Sequence, residues 1–337
     1  MTARDGELEA PHRRLEPGSR SLERLVVVAY GTIGWIVAHV PPGIPRVIIA
    51  RGAQASYLLW PRKRRWSNSN FAHVLGLPPG DRRVRLTALA AYAEYARYVV
   101  ETMRLPHLKP ELASALVREA DYAAVEPLWK GAEGGLIFAL GHIGNADAVA
   151  AGVAGHGWPI SVLADDSSFP EMFEEFRRTR EMWGVHVIPW RNLRETFGVL
   201  RRREMLALLV DWGYRSDGIP VRLFDAWTTL PAGPAMLAAK TGALIVPVAI
   251  RRAPDDRTFT IHLSEPVRVT SSAPASLLAA TQQLADALQE SIAAAPEQWY
   301  SFKPVWPLNP AAGAALEARA AEMAAQTTAR RTEPAVA

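Results

Sequence analysis

The residues best suited to chemistry in this chain are His142 and Asp147, which lie in the stretch Leu136–Ala148 with the sequence LIFALGHIGNADA. A carboxylate bonded to one imidazole nitrogen fixes the tautomer of the ring and leaves the other nitrogen available as a general base. A turn followed by one helical turn can bring Asp147 back to His142, so the spacing indicates such a pair. The alternative is a loop histidine with ordinary partners, because the chain has 8 His and such a spacing arises about once by chance.

The surrounding sequence favours the catalytic interpretation of His142. Leu136–Leu140 is a short apolar run bounded by glycines, which is typical of a buried strand in a parallel sheet. A turn at residues 141–144 follows, and a helix is predicted to start near Asn145, whose type suits an N-cap. His142 is therefore expected at the carboxyl end of a strand, where open α/β sheets bind their ligands.

Few other residues are candidates for chemistry. Asp211 closes a predicted strand, where a buried unpaired charge has no packing role. We expect it to join the His142 network, to orient a substrate hydroxyl, or only to cap the loop at Gly213. Asp165 and Asp166 also follow a strand, but paired loop acids usually form a turn, and no metal site is predicted.

Missing motifs and residue types narrow the class of reaction. The chain has 0 Cys, which excludes disulfides, Cys-ligated zinc, iron–sulfur clusters and a Cys acyl-enzyme. No Gly-x-Ser-x-Gly elbow, no Gly-x-Gly-x-x-Gly turn after a strand and no Walker loop is present, which counts against α/β-hydrolases and nucleotide-binding enzymes. A His–carboxylate pair without a nucleophile fits direct general-base attack by a hydroxyl group or by water.

The composition is that of a folded protein with a modest positive charge. The chain has 337 residues, 49% hydrophobic and 21% charged, and a formal net charge of +4. This excess indicates an anionic surface or substrate, and no basic–aromatic pattern typical of nucleic-acid binding is present. No nucleic-acid partner is therefore predicted.

The first 80 residues are predicted to associate with a membrane. Residues 1–20 are interpreted as a mobile tail. Residues 21–80 are interpreted as a membrane-associating helical region that contains an apolar helical hairpin. Leu25–Val40 has sixteen uncharged residues, fewer than the about twenty that a span needs, and it ends at a proline pair without a cleavage pattern. Four cations then lie between Trp60 and Trp66, a combination that favours a lipid headgroup surface. A true span and a buried pair of core helices are the alternatives.

Residues 81–310 are predicted to form one α/β domain. Strands and helices alternate from 136 to 250, which indicates a mostly parallel central sheet with helices on both faces. Val221–Phe224 is expected as an edge strand and Phe259–Leu263 as an antiparallel addition. Residues 311–337 are expected to be an Ala-rich helical tail that fades into disorder. The predicted strands of the parallel part are Leu136–Leu140, Ile160–Leu163, Val185–Ile188, Met205–Val210 and Ala243–Ile250.

Several ordered blocks of sequence resemble one enzyme family. The block GHIGNADA, which begins at Gly141, is similar to the His-x4-Asp/Glu block of glycerolipid and glycolipid acyltransferases. More specifically, it looks like the branch that contains the lipid A lauroyl/myristoyl acyltransferases and the phosphatidylinositol mannoside acyltransferases. The further blocks, in family order, are MRLP (Met103–Pro106), REMWGVHVIP (Arg180–Pro189), LALLVDWG (Leu206–Gly213), LPAGPAMLAAKTGALIVPV (Leu230–Val248) and PEQW (Pro296–Trp299).

The resemblance implies transfer of a fatty acyl group from a thioester of coenzyme A or acyl carrier protein to a hydroxyl of a glycolipid or phospholipid. No other cofactor is implied, and the expected place is the cytoplasmic side of the plasma (inner) membrane, with the protein peripheral or monotopic. His142 would take the acceptor proton, Asp147 would orient the imidazole, and Asp211 would belong to the same site. Peptide N–H groups around Gly144 and Asn145 would hold the oxyanion.

Other residues are implied to bind substrate. Arg180 would meet a phosphate or the donor carbonyl, the alternative being an exposed helix arginine. Pro231 and Gly233 are predicted to contact substrate. Two positions depart from the family pattern, Ala146 where Trp is usual and Trp212 where a charged residue is frequent, and both concern chain length and acceptor identity. A thioesterase, with water as the acceptor, and a non-catalytic lipid-binding relative are the alternative functions.

Overall fold

The computed structural model describes residues 17–166 and 169–327, with side chains from residue 21 onward. The helices are α1 (Pro17–His39), α2 (Gly43–Leu59), α3 (Pro61–Leu75), α4 (Arg82–Arg104), α5 (Pro110–Ser114), α6 (Glu119–Lys130), α7 (Ala146–Gly155), α8 (Pro170–Met182), α9 (Leu193–Arg201), α10 (Gly233–Thr241), α11 (Pro274–Ala294) and α12 (Pro310–Ala325). The strands are β1 (Leu136–Leu140), β2 (Ile160–Ala164), β3 (His186–Pro189), β4 (Met205–Leu209), β5 (Ile219–Leu223), β6 (Ala226–Leu230), β7 (Leu244–Arg252) and β8 (Phe259–Leu263).

One mixed sheet has the strand order β3-β2-β4-β1-β7-β8. All pairings among β3, β2, β4, β1 and β7 are parallel, and β8 runs antiparallel to β7. The predicted α/β class, the mostly parallel sheet and the antiparallel last strand are therefore confirmed.

The strand β1 lies inside the sheet and is buried on both faces. Ile137 and Ala139 belong to one hydrophobic core, whereas Leu136, Phe138 and Leu140 belong to a second core on the other face. A strand that is covered on both sides has no solvated face, so its sequence is an uninterrupted apolar run. This is why the sequence alone predicted the strand with its correct bounds.

The segment around Val221 differs from the sequence prediction. The strand β5 pairs with β6 in an antiparallel hairpin that is separate from the main sheet. The turn residues Phe224 and Asp225 have φ angles of 48° and 59°, as in the type I′ turns whose twist suits two-residue hairpins. Neither residue is Gly or Asn, so no hairpin signal is visible in the sequence. The predicted strand is present, but it pairs with β6 and does not lie at the edge of the main sheet.

The N-terminal apolar helices rest on the helix α4. Both α1 and α2 pack against α4 rather than mainly against each other. Large apolar side chains stay exposed on both, among them Leu25, Val28, Trp35, Val47 and Ile48. Within the described residues, one helical stretch, Ser21–His39, is long and apolar enough to cross a membrane, and 11% of its apolar window is buried.

Both predicted tails are partly helical. Residues 17–20, assigned to the N-terminal tail, form the start of α1, and residues 1–16 lie outside the described residues. At the other end, α12 packs on α11 and on the β5–β6 hairpin, and Arg319 donates to the Ser216 carbonyl oxygen. The Ala-rich segment is thus docked up to about its midpoint, while residues 328–337 lie outside the described part of the chain.

Candidate active site

The turn after β1 brings His142 to Asp211, which follows β4. The two strands are parallel neighbours with Leu140 beside Leu209, so the residues after each strand meet at one sheet edge. Nδ1 of His142 lies 2.6 Å from Oδ1 of Asp211, and the peptide N–H of His142 donates to Oδ2 at 2.9 Å. The structure therefore joins Asp211 to His142, which is one of the three roles that the sequence left open for this acid.

Trp299 completes the surroundings of the Asp211 carboxylate. The Asp211 side chain is 0% exposed, and its Oδ2 accepts a second hydrogen bond from Nε1 of Trp299 at 2.8 Å. Trp299 is itself fully buried. The sequence analysis noted this residue only within the PEQW block, because nothing local links it to an acid 88 positions earlier.

Charge and hydrogen bonding set the protonation of the pair. Burial opposes the charged imidazolium, but the Asp211 charge and its hydrogen bond outweigh burial and raise the pKa of His142 above its ordinary value. Burial would also raise the pKa of Asp211, yet His142 and the donor Nε1 of Trp299 lower it. Asp211 is therefore a carboxylate that holds the imidazole proton at Nδ1. Nε2 is left as the basic nitrogen, on a ring whose side chain is 27% exposed.

Asp147 binds other partners than the imidazole. Its carboxylate accepts from Arg180, with Nε to Oδ1 at 2.8 Å and Nη2 to Oδ2 at 3.1 Å. The hydroxyl of Tyr98 donates to Oδ2 at 2.7 Å. No hydrogen bond joins Asp147 to His142 in residues 17–166 and 169–327. The predicted contact is corrected by the structure, because strand pairing puts Asp211 at the nitrogen that local spacing had assigned to Asp147.

Arg180 is an interior residue and not an exposed helix arginine. Its side chain is 19% exposed and that of Asp147 is 12% exposed. The guanidinium also lies 5.4 Å from the ring centre of Phe176. Burial would lower the pKa of Arg180, but the Asp147 charge outweighs burial and raises it, so the guanidinium stays charged. The ion pair ties α8 to the first turn of α7, while the predicted contact of Arg180 with substrate stays a prediction.

The segment from Gln298 to Tyr300 fixes the turn after β1. The peptide N–H of Gly144 donates to the Gln298 carbonyl at 3.0 Å, and that of Tyr300 donates to the His142 carbonyl at 2.8 Å. Gly144 has a φ of +64°, and a Cβ there would lie 2.3 Å from the Ile250 carbonyl oxygen. The Gly144 N–H therefore has a partner and does not serve as the predicted oxyanion donor.

Asn145 begins the helix α7 and is fully buried. Its Oδ1 accepts from the peptide N–H of Ala148 at 2.9 Å, which confirms the predicted N-cap. Its Nδ2 donates to Oε2 of Glu101 at 3.0 Å, and Glu101 is paired with Arg252. The side chain of Asn145 thus holds the helix start in place, and its predicted contact with substrate stays a prediction.

Comparison with known proteins identifies the family of this chain. The sequence matches the bacterial lipid A biosynthesis acyltransferase family over residues 14–307. The chain belongs to this family. It is 30% identical over 282 residues to the phosphatidylinositol mannoside acyltransferase of Mycolicibacterium smegmatis, which covers 81% of this chain and 89% of that protein. A protein of the same name from Mycobacterium tuberculosis strain H37Rv is 29% identical over 246 residues, 70% of this chain and 75% of that protein. As a member of the family, the chain is an O-acyltransferase.

Two other predicted residues of the acyltransferase lie apart from the His142–Asp211 pair. Pro231 and Gly233 lie where β6 leads into α10, and Gly233 is exposed. In the described part of the chain, no hydrogen bond joins either residue to His142 or Asp211. Their role in substrate binding stays a prediction. Within the same residues, no group of three or more His, Cys, Asp or Glu side chains is placed to hold a metal ion.

Proposed function

We propose that this acyltransferase moves a long-chain fatty acyl group from a thioester, acyl-CoA or acyl carrier protein, to a hydroxyl of a glycolipid or phospholipid. One observation carries the proposal. The buried Asp211 occupies Nδ1 of His142 and leaves Nε2 of a partly exposed ring for an incoming hydroxyl. The names of the two mycobacterial relatives support an acceptor of the phosphatidylinositol mannoside type, and the family name supports a lipid A precursor.

The geometry fits direct transfer without an acyl-enzyme. Nε2 of His142 takes the proton of the acceptor hydroxyl while the hydroxyl oxygen bonds to the thioester carbonyl carbon. The carbonyl then re-forms, the C–S bond breaks, and the imidazolium returns the proton to the departing thiolate. The Asp211 carboxylate stabilises the imidazolium between the two proton transfers.

We further propose attachment to the cytoplasmic face of the plasma (inner) membrane through α1, α2 and the start of α3. Exposed apolar residues such as Leu25 and Leu59, 64% and 82% exposed, support this attachment. Lys63 lies 4.6 Å from the ring centre of Trp60, and Arg62 lies 4.7 Å from that of Trp66. Trp rings with cations beside them suit the headgroup region of an anionic membrane.

Turnover of defined substrates tests the function. Purified full-length protein in mixed micelles is given palmitoyl and lauroyl thioesters on each carrier, with mannosylated phosphoinositides, lipid A precursors or lysophospholipids as acceptors. We expect acyl transfer to a hydroxyl of at least one acceptor. Free fatty acid released at the same rate with and without acceptor would indicate a hydrolase, and absence of turnover would indicate a lipid-binding relative.

The variant His142→Ala tests the mechanism in the same assay. We expect transfer to fall by about 10²–10⁴-fold, the usual contribution of a general base. The thermal midpoint should fall, because the buried Asp211 carboxylate loses its imidazole partner, so transfer is measured well below the midpoint of the variant. Transfer within about threefold of wild type would contradict the assigned role of the imidazole.

A further inference from the structure

Trp212 is an exposed ring beside the catalytic base. It follows the buried Asp211 directly, yet it is 54% exposed. Its ring centre lies 5.8 Å from that of the His142 imidazole. The hydrophobic cores do not include it, and the proton transfers described above do not use it. A ligand that reaches Nε2 of His142 would therefore meet this ring.

Lys303 lies over the same ring on a segment that is held from inside the protein. Its Nζ is 4.1 Å from the ring centre of Trp212, within the range of a cation–π contact. Asn70, only 1% exposed, donates from Nδ2 to the carbonyl oxygens of Lys303 at 2.7 Å and Ser301 at 3.0 Å. Its Oδ1 accepts from the peptide N–H of Val305 at 3.1 Å. The backbone that carries the cation is thus fixed beside the ring.

We propose that Trp212 and Lys303 bind the headgroup of the acceptor, with a sugar ring packed on the indole and a phosphate oxygen of the same headgroup on the ammonium. The apolar face of a sugar ring suits an exposed indole, and an ammonium suits a phosphate as a point charge. Burial lowers the pKa of Lys303, with the Asp165 charge opposing that effect. A partly desolvated ammonium gains from an added anionic partner. The inference rests on the proposed function, since it names the residues that recognise the acceptor.

Position favours the acceptor over the thioester donor as the occupant. The acceptor hydroxyl must contact Nε2 of His142 to lose its proton. The sugar ring that bears this hydroxyl therefore lies next to the indole of Trp212. The phosphates of a coenzyme A or acyl carrier protein thioester are separated from the reacting carbonyl by the full pantetheine arm. The donor phosphates would therefore lie away from Trp212, whose ring is close to the His142 imidazole.

Separate measurement of the acceptor and donor KM tests the proposal. The variants are Trp212→Ala and Lys303→Met, with Trp190→Ala as the matched control. Trp190 is also exposed, at 41%, with Arg191 5.3 Å from its ring centre. It follows β3, three strands away from β1, about 14 Å at the usual strand spacing. Each variant is checked for an unchanged thermal midpoint.

We expect Trp212→Ala to raise the acceptor KM at least tenfold and Lys303→Met to raise it severalfold. The donor KM and the release of free acid without acceptor should stay within twofold, and Trp190→Ala should match wild type. If wild type transfers acyl groups and both variants keep the wild-type acceptor KM, the inference is overturned and the proposed function stands. A rise confined to the donor KM would also overturn the inference. A wild type that acylates no hydroxyl would refute the proposed function, and the inference with it.

Discussion

The carboxylate of Asp211 determines which nitrogen of His142 is available as the proposed base. Every group around it is a donor: Nδ1–H of His142 at Oδ1, and the peptide N–H of His142 and Nε1–H of Trp299 at Oδ2. Three donors around one buried carboxyl group favour the ionised form. Because the pKa of His142 is raised above its ordinary value, the imidazole becomes neutral at a higher pH than a free histidine, and activity should fall on the acid side of that raised pKa.

The variant Asp211→Asn keeps the shape of the side chain and reverses one hydrogen bond. Its oxygen can still accept the two N–H donors at Oδ2, so the amide nitrogen would face Nδ1 of His142. The imidazole proton would then move to Nε2, the position at which the base is needed. We expect turnover to fall by about 10²–10⁴-fold, measured as initial rate with saturating substrates. Normal transfer by this variant would remove Asp211 from the mechanism.

The indole N–H of Trp299 is a positioning group that Trp299→Phe removes while keeping an aromatic ring. Loss of this donor leaves more negative charge facing His142, so the pKa of the imidazole should rise further. We expect kcat to fall severalfold and the acid limb of the pH–rate curve to move to higher pH.

The matched control is Trp306→Phe, which also removes a buried indole N–H. Nε1 of Trp306 donates to the Leu223 carbonyl at 3.2 Å and does not touch Asp211. Trp306→Phe should lower thermal stability by a similar amount without moving the acid limb of the pH–rate curve. Equal pH–rate curves for the two variants would reduce Trp299 to a packing residue.

Among the elements, the helix α7 connects the turn after β1, which carries His142, to α4 and α8. Asn145 at its start bonds to Glu101 of α4, and Asp147 in its first turn bonds to Arg180 of α8 and Tyr98 of α4. The His-x4-Asp block therefore combines a base with an anchor for the helix that follows it. Asp147 therefore has a positioning role for α7 although it does not touch the imidazole.

The ion pair between Asp147 and Arg180 is expected to act on stability. Asp147→Asn and Arg180→Gln should each lower the free energy of unfolding by about 3 kcal/mol, because each leaves a mostly buried charge without its partner. The double variant should lose less than the sum of the two. Denaturant unfolding measures all three. A stable Asp147→Asn whose turnover falls as far as that of Asp211→Asn would instead place Asp147 in the proton chemistry.

The turn after β1 was predictable because its signals are local. Its contact with Asp211 was only one of three alternatives in the sequence, because that contact depends on strand order. The apolar run of β1, the glycines and Asn145 lie within a dozen residues, and together they placed His142 correctly. The contact with Asp211 requires β4 to lie beside β1, which no spacing in the sequence encodes. Trp299 comes from beyond the sheet altogether. Local spacing therefore favoured Asp147, the nearest acid, over the acid that the fold supplies.

For the whole molecule, the structure favours attachment at a membrane surface over a span by α1. The apolar stretch of α1 contains Glu23, which is 5% exposed. Its Oε1 accepts the peptide N–H groups of Glu171 at 2.9 Å and Met172 at 3.2 Å, at the start of α8. Moving Glu23 into hydrocarbon would break these bonds and bury a carboxylate in lipid, which is costly. The start of α1 therefore stays on the protein while its apolar side chains face outward.

Neutralising surface cations tests the proposed membrane attachment without deleting core elements. Removal of residues 1–66 would also remove Tyr57, which is 1% exposed and packs on Tyr92 of α4, so point variants are preferable. The test variant carries Arg62→Gln, Lys63→Gln and Arg65→Gln. Arg64 is kept because its Nη1 donates to the Leu58 carbonyl at 2.8 Å. The control carries three substitutions at the opposite, amino edge of the sheet: Arg201→Gln, Arg203→Gln and Lys240→Gln.

Both triple variants lose the same formal charge, so only the position of the charge distinguishes them. If the start of α3 faces an anionic headgroup surface, each of its cations contributes about 1 kcal/mol, and vesicle affinity should fall tenfold to about 100-fold. The control should lose less than about threefold, because its charges lie at the amino edge of the sheet and not on α3. Co-sedimentation with phosphatidylglycerol vesicles at low and high salt measures both. Equal losses of affinity in the two triple variants would mean that net charge alone drives binding. If wild type does not bind the vesicles, α1–α3 are ordinary core helices and the proposed attachment is wrong.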